Sequence, residues 1–333
     1  MKIIIITTVI FLLTFCFNAC SEKSNEPNMI TVNPVVSQIS TTFTFNLNKI
    51  EFYNSSIGYA VGDSGAIIKT INGGDSWQVL NSGTTYGLNA IEVISDDHIV
   101  VGGFKKLLYS SDGGSSWNEA YSNLNTIIFD FDKIENNIWT VGGINSFDTD
   151  IAAILKSSNN GLNWFKLSNL DIRGLISSIL IIDQSEMIFG LERNIRGRLD
   201  SVRIYKTTDG GNTFYPSYSI PKPVGIHSLS SYDNTKIFAS GPYGNLMLST
   251  NRGDDWTCQN WQDSLDLYSI HASSNNLAFS CGKEGTLILT DDGGSNWSSI
   301  NSGSSNDLKD IASPIEGILI IVGHNGTILK IEY

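Results

Sequence analysis

One pattern recurs six times along the chain and limits the folds that it can adopt. Each copy reads Ser/Thr-x-Asp/Asn-x-Gly-x-x-Trp/Phe, and its last residue follows that of the preceding copy by 40 to 50 residues. The copies are TINGGDSW, SSDGGSSW, SSNNGLNW, TTDGGNTF, STNRGDDW and TDDGGSNW, starting at Thr70, Ser110, Ser157, Thr207, Ser249 and Thr290. A repeat of this length, without long amphipathic helical stretches, is typical of a β-propeller.

The number of blades follows from a second repeated signal, which is a glycine-rich turn that leads into an alternating strand. It occurs seven times: at Val61, Val101, Ser240, Cys281 and Val322, and in two longer versions ending at Lys156 and Lys206. The seventh unit stops at Tyr333, where its outer strand should begin. We therefore predict an all-β, seven-bladed propeller with four-stranded blades, closed by a strand from within residues 35–43 that completes the last blade. The predicted blade starts are near Leu47, Leu88, Thr126, Leu175, Gly225, Leu267 and Leu308.

The residues of the six-fold motif are expected to be structural. In a tight turn between the third and fourth strands, Asp or Asn accepts hydrogen bonds from nearby backbone N–H groups. The Gly tolerates positive φ, and the aromatic residue buries a large apolar area. Six copies dispersed around a ring cannot form one catalytic site. The residues given this role are Asn72, Gly74, Trp77, Asp112, Gly114, Trp117, Asn159, Gly161, Trp164, Asp209, Gly211, Phe214, Asn251, Gly253, Trp256, Asp292, Gly294 and Trp297.

These motifs resemble the Asp-box, also called the bacterial neuraminidase repeat. Together with the arrangement YAVGDSGAIIKTINGGDSW from Tyr59, they are similar to the photosystem II assembly and stability factor family of seven-bladed propellers, over about residues 35–333. The resemblance implies an assembly or scaffold role on membrane proteins. Asp-boxes also occur in sialidases, sortilin-type receptors and xyloglucan-active glycosidases, so the motif indicates the fold and leaves the function open.

The N-terminal segment has the features of an export signal. Lys2 supplies positive charge, and the apolar run up to Phe17 is shorter than the about 20 residues of a membrane-spanning helix. The run ends in FNAC, which resembles the bacterial lipoprotein box, whose cysteine is lipidated. Here that residue is Cys20, and an ordinary secretory signal is the alternative.

Three segments follow from this interpretation. Residues 1–19 are predicted to be a lipoprotein signal peptide, residues 20–34 a flexible tether and residues 35–333 the propeller. The mature protein is then exported and anchored by lipid to the cell envelope, at the outer membrane on its periplasmic or surface face. This kind of signal looks like that of a non-photosynthetic bacterium, so we expect a partner other than a photosystem.

Composition and motifs narrow the functional classes further. The chain has 21 Lys and Arg against 33 Asp and Glu, a formal charge of −12, which disfavours binding to nucleic acid. Four of its six Arg lie between residues 193 and 203, whereas a sialidase site collects Arg from separate blades. The four His show no metal-ligand spacing, and no GxSxG or phosphate-binding loop occurs. We predict a non-catalytic, monomeric domain without cofactor or metal.

Two longer loops mark the face where a partner is expected to bind. In a propeller, the loop between the second and third strands lies on the same face as the connections between blades. This loop is extended in two adjacent blades, by residues 145–150 and 192–200. The candidate contact residues are Phe147, Asp148, Asp150, Arg193, Arg196 and Arg198.

Three alternatives stay open at this point. The extended loops are either recognition elements or merely long hairpins with solvated charge. The ligand is either an unknown protein or membrane complex, or a glycan: aromatic side chains and paired carboxylates at the channel mouth would favour a glycan, and a bare channel a protein. Cys258 and Cys281 are expected on different strands, one outer and one nearer the axis, so we favour free thiols over a disulfide.

Overall fold

The strands form seven antiparallel sheets of four strands each, arranged as the blades of a propeller. The computed structural model describes residues 32–122, 124–145, 150–167, 172, 174–192, 202–219, 225–259, 261 and 264–333. The first four-stranded blade after the N-terminal strand consists of β2 (Leu47–Phe52), β3 (Gly58–Gly62), β4 (Ala66–Thr70) and β5 (Gln78–Asn81).

The next three blades have the same strand order. The second contains β6 (Leu88–Val93), β7 (Ile99–Gly103), β8 (Lys106–Ser110) and β9 (Asn118–Glu119). The third contains β10 (Ile127–Ile134), β11 (Asn137–Asn145), β12 (Asp150–Ser157) and β13 (Phe165–Lys166). The fourth contains β14 (Ile176–Ile181), β15 (Met187–Leu191), β16 (Val202–Thr207) and β17 (Tyr215–Ser219).

The last three blades complete the ring. The fifth contains β18 (Ser228–Ser231), β19 (Ile237–Ser240), β20 (Leu246–Ser249) and β21 (Thr257–Gln259). The sixth contains β22 (Leu267–Ala272), β23 (Ala278–Gly282), β24 (Leu287–Thr290) and β25 (Ser298–Ser299). The seventh contains β26 (Leu308–Ile315), β27 (Ile318–Gly323) and β28 (Ile328–Glu332), with β1 (Val35–Gln38) as its outer strand.

The ring closes in the way that the repeat count predicted. Strand β1 pairs antiparallel with β28, with Val35 opposite Glu332 and Gln38 opposite Leu329. The first strand of each blade packs against the first strand of the next, and β26 of the last blade packs against β2 of the first. The predicted seven-bladed fold and its N-terminal closing strand are therefore confirmed, and pairing of the closing strand with β28 is limited to residues 35–38.

Close backbone approach explains the glycine that ends the second strand in most blades. A Cβ on Gly62 would lie 1.9 Å from the carbonyl oxygen of Asn46, and one on Gly282 would lie 2.1 Å from that of Asp266. No side chain fits at such a distance, so the glycine allows the second strand to contact the start of the first. This contact repeats around the ring and accounts for the glycine-rich signal in the sequence.

The core lies between neighbouring blades as a series of apolar clusters. One of them joins Trp139 and Val141 of β11 to Ile179 of β14 and Phe189 of β15, all nearly inaccessible to solvent. Each blade therefore buries its faces against both neighbours, and stability depends on an unbroken ring. Cys281 is buried in β23 and Cys258 is half-buried in the outer strand β21, and both are free thiols.

Two faces of the propeller follow from the antiparallel order. The first and third strands begin on one face, which also carries the connections between blades. The motif turns between the third and fourth strands lie on the opposite face. No helix long and apolar enough to cross a membrane occurs in the described ranges.

Candidate functional site

The residues at the starts of the inner strands, most of them at a β-bulge, build the mouth of the central channel. The ladder between first and second strands is irregular at this position in six blades, and in the fifth blade the equivalent residue directly precedes β18. The side chain of the extra residue at a bulge points in a different direction from those of its neighbours. The seven residues at this position are Asn48, Asn89, Phe129, Ser177, His227, Tyr268 and Lys309. We call them the mouth ring.

All seven members of the mouth ring line one cavity of about 280 Å³. Its other lining residues are Lys49, Glu192, Ser228 and Asp310. The cavity is large enough for a side chain or a chain terminus of a ligand together with some water.

Several members of the mouth ring donate a hydrogen bond to the carbonyl group that begins the next blade. Asn48 Nδ2 donates to the Leu88 oxygen at 3.0 Å, and Asn89 Nδ2 donates to the Ile128 oxygen at 3.4 Å. Ser177 Oγ contacts the Ile226 oxygen in the same way, and His227 Nδ1 lies 3.0 Å from the Leu267 oxygen. These bonds link each of these blades to the next, so part of the ring has a structural role.

One layer below the mouth ring, a single cation lies between two carboxylates. Lys49 Nζ is 3.0 Å from Asp130 and 3.8 Å from Asp310. Asp310 also accepts hydrogen bonds from Ser269 Oγ at 2.7 Å and from the Ile50 N–H at 3.0 Å. Burial alone would lower the pKa of Lys49, but the two carboxylates outweigh it and hold that pKa well above its usual range. A single lysine thus compensates part of the charge of the carboxylate pair beneath the cavity.

The far end of the channel has a different composition, dominated by acids. Glu51 accepts a hydrogen bond from the Val93 N–H at 3.0 Å, Asp132 accepts one from the Ile181 N–H at 2.6 Å, and Lys133 pairs with Glu92. Burial raises the pKa of Asp132 to about 8 and also raises the pKa values of both glutamates. These side chains join the first three blades to their neighbours.

Three stacked side chains form one wall of the mouth. The rings of His227 and Tyr268 lie with centroids 5.8 Å apart, and Lys309 Nζ lies 3.4 Å from the centroid of the Tyr268 ring. The Tyr268 hydroxyl donates to Asp307 at 3.3 Å. Burial lowers the pKa values of both His227 and Lys309, because it disfavours their charged forms.

Most of the contact residues proposed from sequence lie outside the described residues. This holds for Phe147, Asp148, Arg193, Arg196 and Arg198, and also for Cys20. Asp150 begins β12, where its backbone pairs with that of Asn145. Glu192, the first residue of the second extended loop, lines the cavity, so this loop starts at the channel mouth.

The six motif turns on the opposite face share one hydrogen-bonded geometry. In the second blade, Asp112 Oδ1 accepts from the Ser116 N–H at 2.8 Å, and the Ser110 hydroxyl accepts from the Gly114 N–H at 2.8 Å while it donates to Asp112. The Ser116 hydroxyl also donates to Asp112 Oδ2 at 2.6 Å, and this bond together with the others holds the pKa of Asp112 at about 2. The buried hydroxyl is the centre of the turn, and this role was missed from sequence although Ser or Thr begins every copy. The six hydroxyl residues are Thr70, Ser110, Ser157, Thr207, Ser249 and Thr290.

The aromatic residue that ends each motif returns to the fold with varying burial. Trp164 and Trp256 are buried, and the indole N–H of each donates to the carbonyl of the motif glycine, at 2.8 and 3.1 Å. The other four, Trp77, Trp117, Phe214 and Trp297, are half-buried.

The mouth has neither the full set of groups expected for a glycan ligand nor the bare channel expected for a protein ligand. Aromatic rings are present at Phe129 and Tyr268, but the paired carboxylates Asp130 and Asp310 are bridged by Lys49. Within the described part of the chain, no group of three or more His, Cys, Asp or Glu side chains is placed to hold a metal ion.

Comparison with known proteins finds other propellers that match nearly the whole chain. The profile of the photosynthesis system II assembly factor YCF48 family matches residues 33–332. A structure of YCF48 bound to a D1 peptide covers 92% of this chain and 99% of its own, at 17% identity and a TM-score of 0.72. YCF48 from Cyanidioschyzon merolae covers 89% and 98%, at 17% identity and a TM-score of 0.67.

More distant propellers have a similar TM-score. A GH74 xyloglucanase from Xanthomonas campestris matches at 12% identity and a TM-score of 0.67, over 89% of this chain and 53% of the enzyme. At such identities the likeness shows the fold alone. No curated protein sequence matches this chain significantly.

Proposed function

The chain belongs to the photosynthesis system II assembly factor YCF48 family, and from this premise we propose that its propeller is a non-catalytic scaffold that binds a segment of a membrane-protein partner at the channel mouth. The observation that carries the proposal is the cavity on the face of the extended loops, lined by one residue from every blade. A related structure, YCF48 bound to a D1 peptide, supports a peptide as the type of ligand.

The mouth is suited to binding a polypeptide because it offers mixed chemistry at short range. Phe129 provides apolar surface, Lys309 and Glu192 provide charge of both signs, and Asn48 and Asn89 provide amide oxygens. A peptide presents the same mixture along its backbone and side chains. Among the described residues of this layer, the carboxylates Asp130 and Asp310 are both paired with Lys49, which disfavours their use as a general acid and base pair.

The location of the protein is part of the proposal. Lipidation at Cys20 would hold the propeller near the cell envelope, and the tether of residues 20–34 would let it reach a membrane complex. The signal is unlike that expected for a photosynthetic membrane, so the proposed partner is another membrane protein. The −12 charge disfavours nucleic acid as a partner.

Affinity capture of the tagged mature protein from its own membranes tests this function. The wild type is compared with Arg193→Ala/Arg196→Ala/Arg198→Ala, which removes three cations from the second extended loop. The matched control is Lys69→Ala/Lys166→Ala/Lys236→Ala, which removes three cations near the opposite face. The expected result is a protein partner, identified by mass spectrometry, that the loop variant loses and the control variant retains. A partner retained by the loop variant and lost by the control would contradict the proposal.

A surface glycan is the second candidate ligand, and the observation that favours it is the aromatic pair Phe129 and Tyr268 at the mouth. Retention of the pure protein on a polysaccharide array, with no protein captured from membranes, would replace the scaffold function by glycan binding.

A further inference from the structure

Lys309 at the channel mouth forms no ion pair with a carboxylate of the described residues. Among the residues that the structure describes, Lys309 makes no hydrogen bond and no ion pair, and its Nζ lies over the ring of Tyr268. Lys49, the other lysine that lines the cavity, lies between two carboxylates. The two lysines therefore differ in how far their charge is compensated.

The carboxylates nearest to Lys309 are already engaged. Asp310 is held by Lys49 and Ser269, as described above. Asp307 accepts from the Tyr268 hydroxyl and, at 3.0 Å, from the Glu284 N–H, and it lies 3.7 Å from His324 Nδ1. The ammonium of Lys309 thus keeps its hydrogen-bonding capacity for a group that enters the cavity.

The neighbouring imidazole can add a second donor when its ring takes up a proton together with the incoming carboxylate. His227 Nδ1 is occupied by the Leu267 carbonyl, whereas Nε2 has no partner among the described residues. Burial lowers the pKa values of both His227 and Lys309, and an anion beside them would reverse that shift. Glu192, Asp63, Asp266 and Asp307 surround the same region and make a polyanionic ligand unfavourable.

We propose that Lys309, with His227 beside it, forms a carboxylate subsite of the channel mouth, which takes either an acidic side chain or the C-terminal carboxylate of a bound protein segment. This inference rests on the proposed function, because it specifies the chemistry of the segment that the mouth binds. Lys309 would form a charge-assisted hydrogen bond with the incoming carboxylate.

Three short peptides test the subsite by ligand-observed NMR with the mature chain carrying Cys20→Ser. They are acetyl-Gly-Asp-Gly-amide, its uncharged analogue acetyl-Gly-Asn-Gly-amide, and acetyl-Gly-Gly-Gly with a free carboxylate. We expect at least one carboxylate peptide to bind about ten-fold more tightly than the Asn peptide. The peptide that does so identifies the source of the carboxylate as a side chain or a chain terminus.

Two variants locate the effect. Lys309→Met keeps an apolar stem over Tyr268 and should reduce binding to the level of the Asn peptide. Lys283→Met is the control, since Lys283 lies on the same face in the turn after β23 and pairs with Glu284. If Lys309→Met does not fold, protection of wild-type Lys309 from acetic anhydride by the carboxylate peptide, read by peptide mass spectrometry, provides the same test.

Equal binding of all three peptides, no binding of either carboxylate peptide, or unchanged binding by Lys309→Met would overturn the subsite. The two proposals fail separately. A membrane partner captured equally well by wild type and Lys309→Met would leave the scaffold function intact and remove the subsite. Carboxylate binding without any captured membrane partner would leave the subsite intact and remove the scaffold function.

Discussion

The two faces of the propeller differ in how similar the residues at equivalent positions of the blades are. On the face of the motif turns, six blades repeat the same residue types and the same hydrogen bonds, as in Ser110 with Gly114 and Ser157 with Gly161. At the channel mouth, seven equivalent backbone positions carry six different residue types. Repetition marks what every blade needs in order to fold, and divergence at a shared position shows where the ring is free to acquire a function.

The two faces also differ in how their charged side chains are held. The motif carboxylates Asp112 and Asp209 are exposed and held by donors within their own turns. In the channel, the carboxylates Asp130 and Asp310 are buried, and their pairing with the half-buried Lys49 joins blades that are far apart in sequence. Breaking a buried network should therefore cost more than breaking one turn.

The largest effect is expected from Lys49→Met, which leaves Asp130 and Asp310 buried without their cation. Removing one partner of a buried ion pair costs about 3–5 kcal/mol, and the 28% exposure of the Lys49 side chain places this case near the lower value. Urea unfolding measures the change in the free energy of unfolding. Lys283→Met, at an exposed pair, serves as control and should change it by less than about 0.5 kcal/mol. Equal effects of both variants would show that the axial network is not important for stability.

A smaller effect is expected from Ser110→Ala on the opposite face. The substitution removes the acceptor of the Gly114 N–H and the donor to Asp112, and an unsatisfied buried group costs about 1–3 kcal/mol. Thr70→Ser, which keeps the hydroxyl in the first blade, is the conservative control. If Ser110→Ala destabilised the protein as strongly as Lys49→Met, the distinction between local and axial contacts would be lost.

The pH dependence of stability should distinguish the two sets of acids. The folded-state pKa of Asp132 is raised to about 8, so the folded chain holds a proton that the unfolded chain releases, and stability falls as pH rises towards 8. His271, whose pKa is lowered to about 4, opposes this trend up to its ordinary value of 6.5. Between pH 6.5 and 8, the wild type should lose up to about 2 kcal/mol, and Asp132→Asn should lose less.

The motif acids behave in the opposite sense. The folded-state pKa values of Asp112 and Asp209 are lowered to about 2, so their contribution is present above about pH 4 and lost as pH falls towards 2. Asp112→Asn should therefore reduce the loss of stability in this acid range while leaving the range from pH 6.5 to 8 unchanged. A flat profile between pH 6.5 and 8 in both wild type and Asp132→Asn would contradict the assigned burial of the channel acid.

The smallest effect on stability is expected from Arg193→Ala/Arg196→Ala/Arg198→Ala. The sequence predicts that these side chains lie on an extended loop, and surface substitutions usually change the free energy of unfolding by less than about 0.5 kcal/mol, even where they abolish binding. Thermal unfolding of the purified variant provides the measurement. A large loss of stability would mean that these side chains maintain the fold rather than contact a partner.

The repeats made most of the fold predictable. The inner strands begin at Leu47, Leu88, Leu267 and Leu308 as expected, and β10, β14 and β18 begin within three residues of their predicted starts. The closing strand was predictable because seven inner units and six outer motifs cannot form seven complete blades. Local propensity and repeat spacing are sufficient to predict these strands, because every blade packs against its neighbours in the same way.

The mouth ring was not predicted, because its members share a place in the backbone but no side-chain chemistry. A signal for it did exist: Asn48, Asn89, Tyr268 and Lys309 each follow the leucine that starts an inner strand. Periodicity alone does not reveal that a bulge turns this residue towards the axis. The pairing of Lys49 with Asp310 depends on ring closure and could not be read from either end of the sequence.

Site-specific photo-crosslinking tests the central claim most directly. Benzoylphenylalanine replaces Phe129 at the channel mouth in one protein and Tyr232, an exposed aromatic residue near the opposite face, in the other. After irradiation of intact membranes, we expect a protein adduct from position 129 and none from position 232. An adduct formed only from position 232 would place the binding surface on the face of the motif turns and contradict the account.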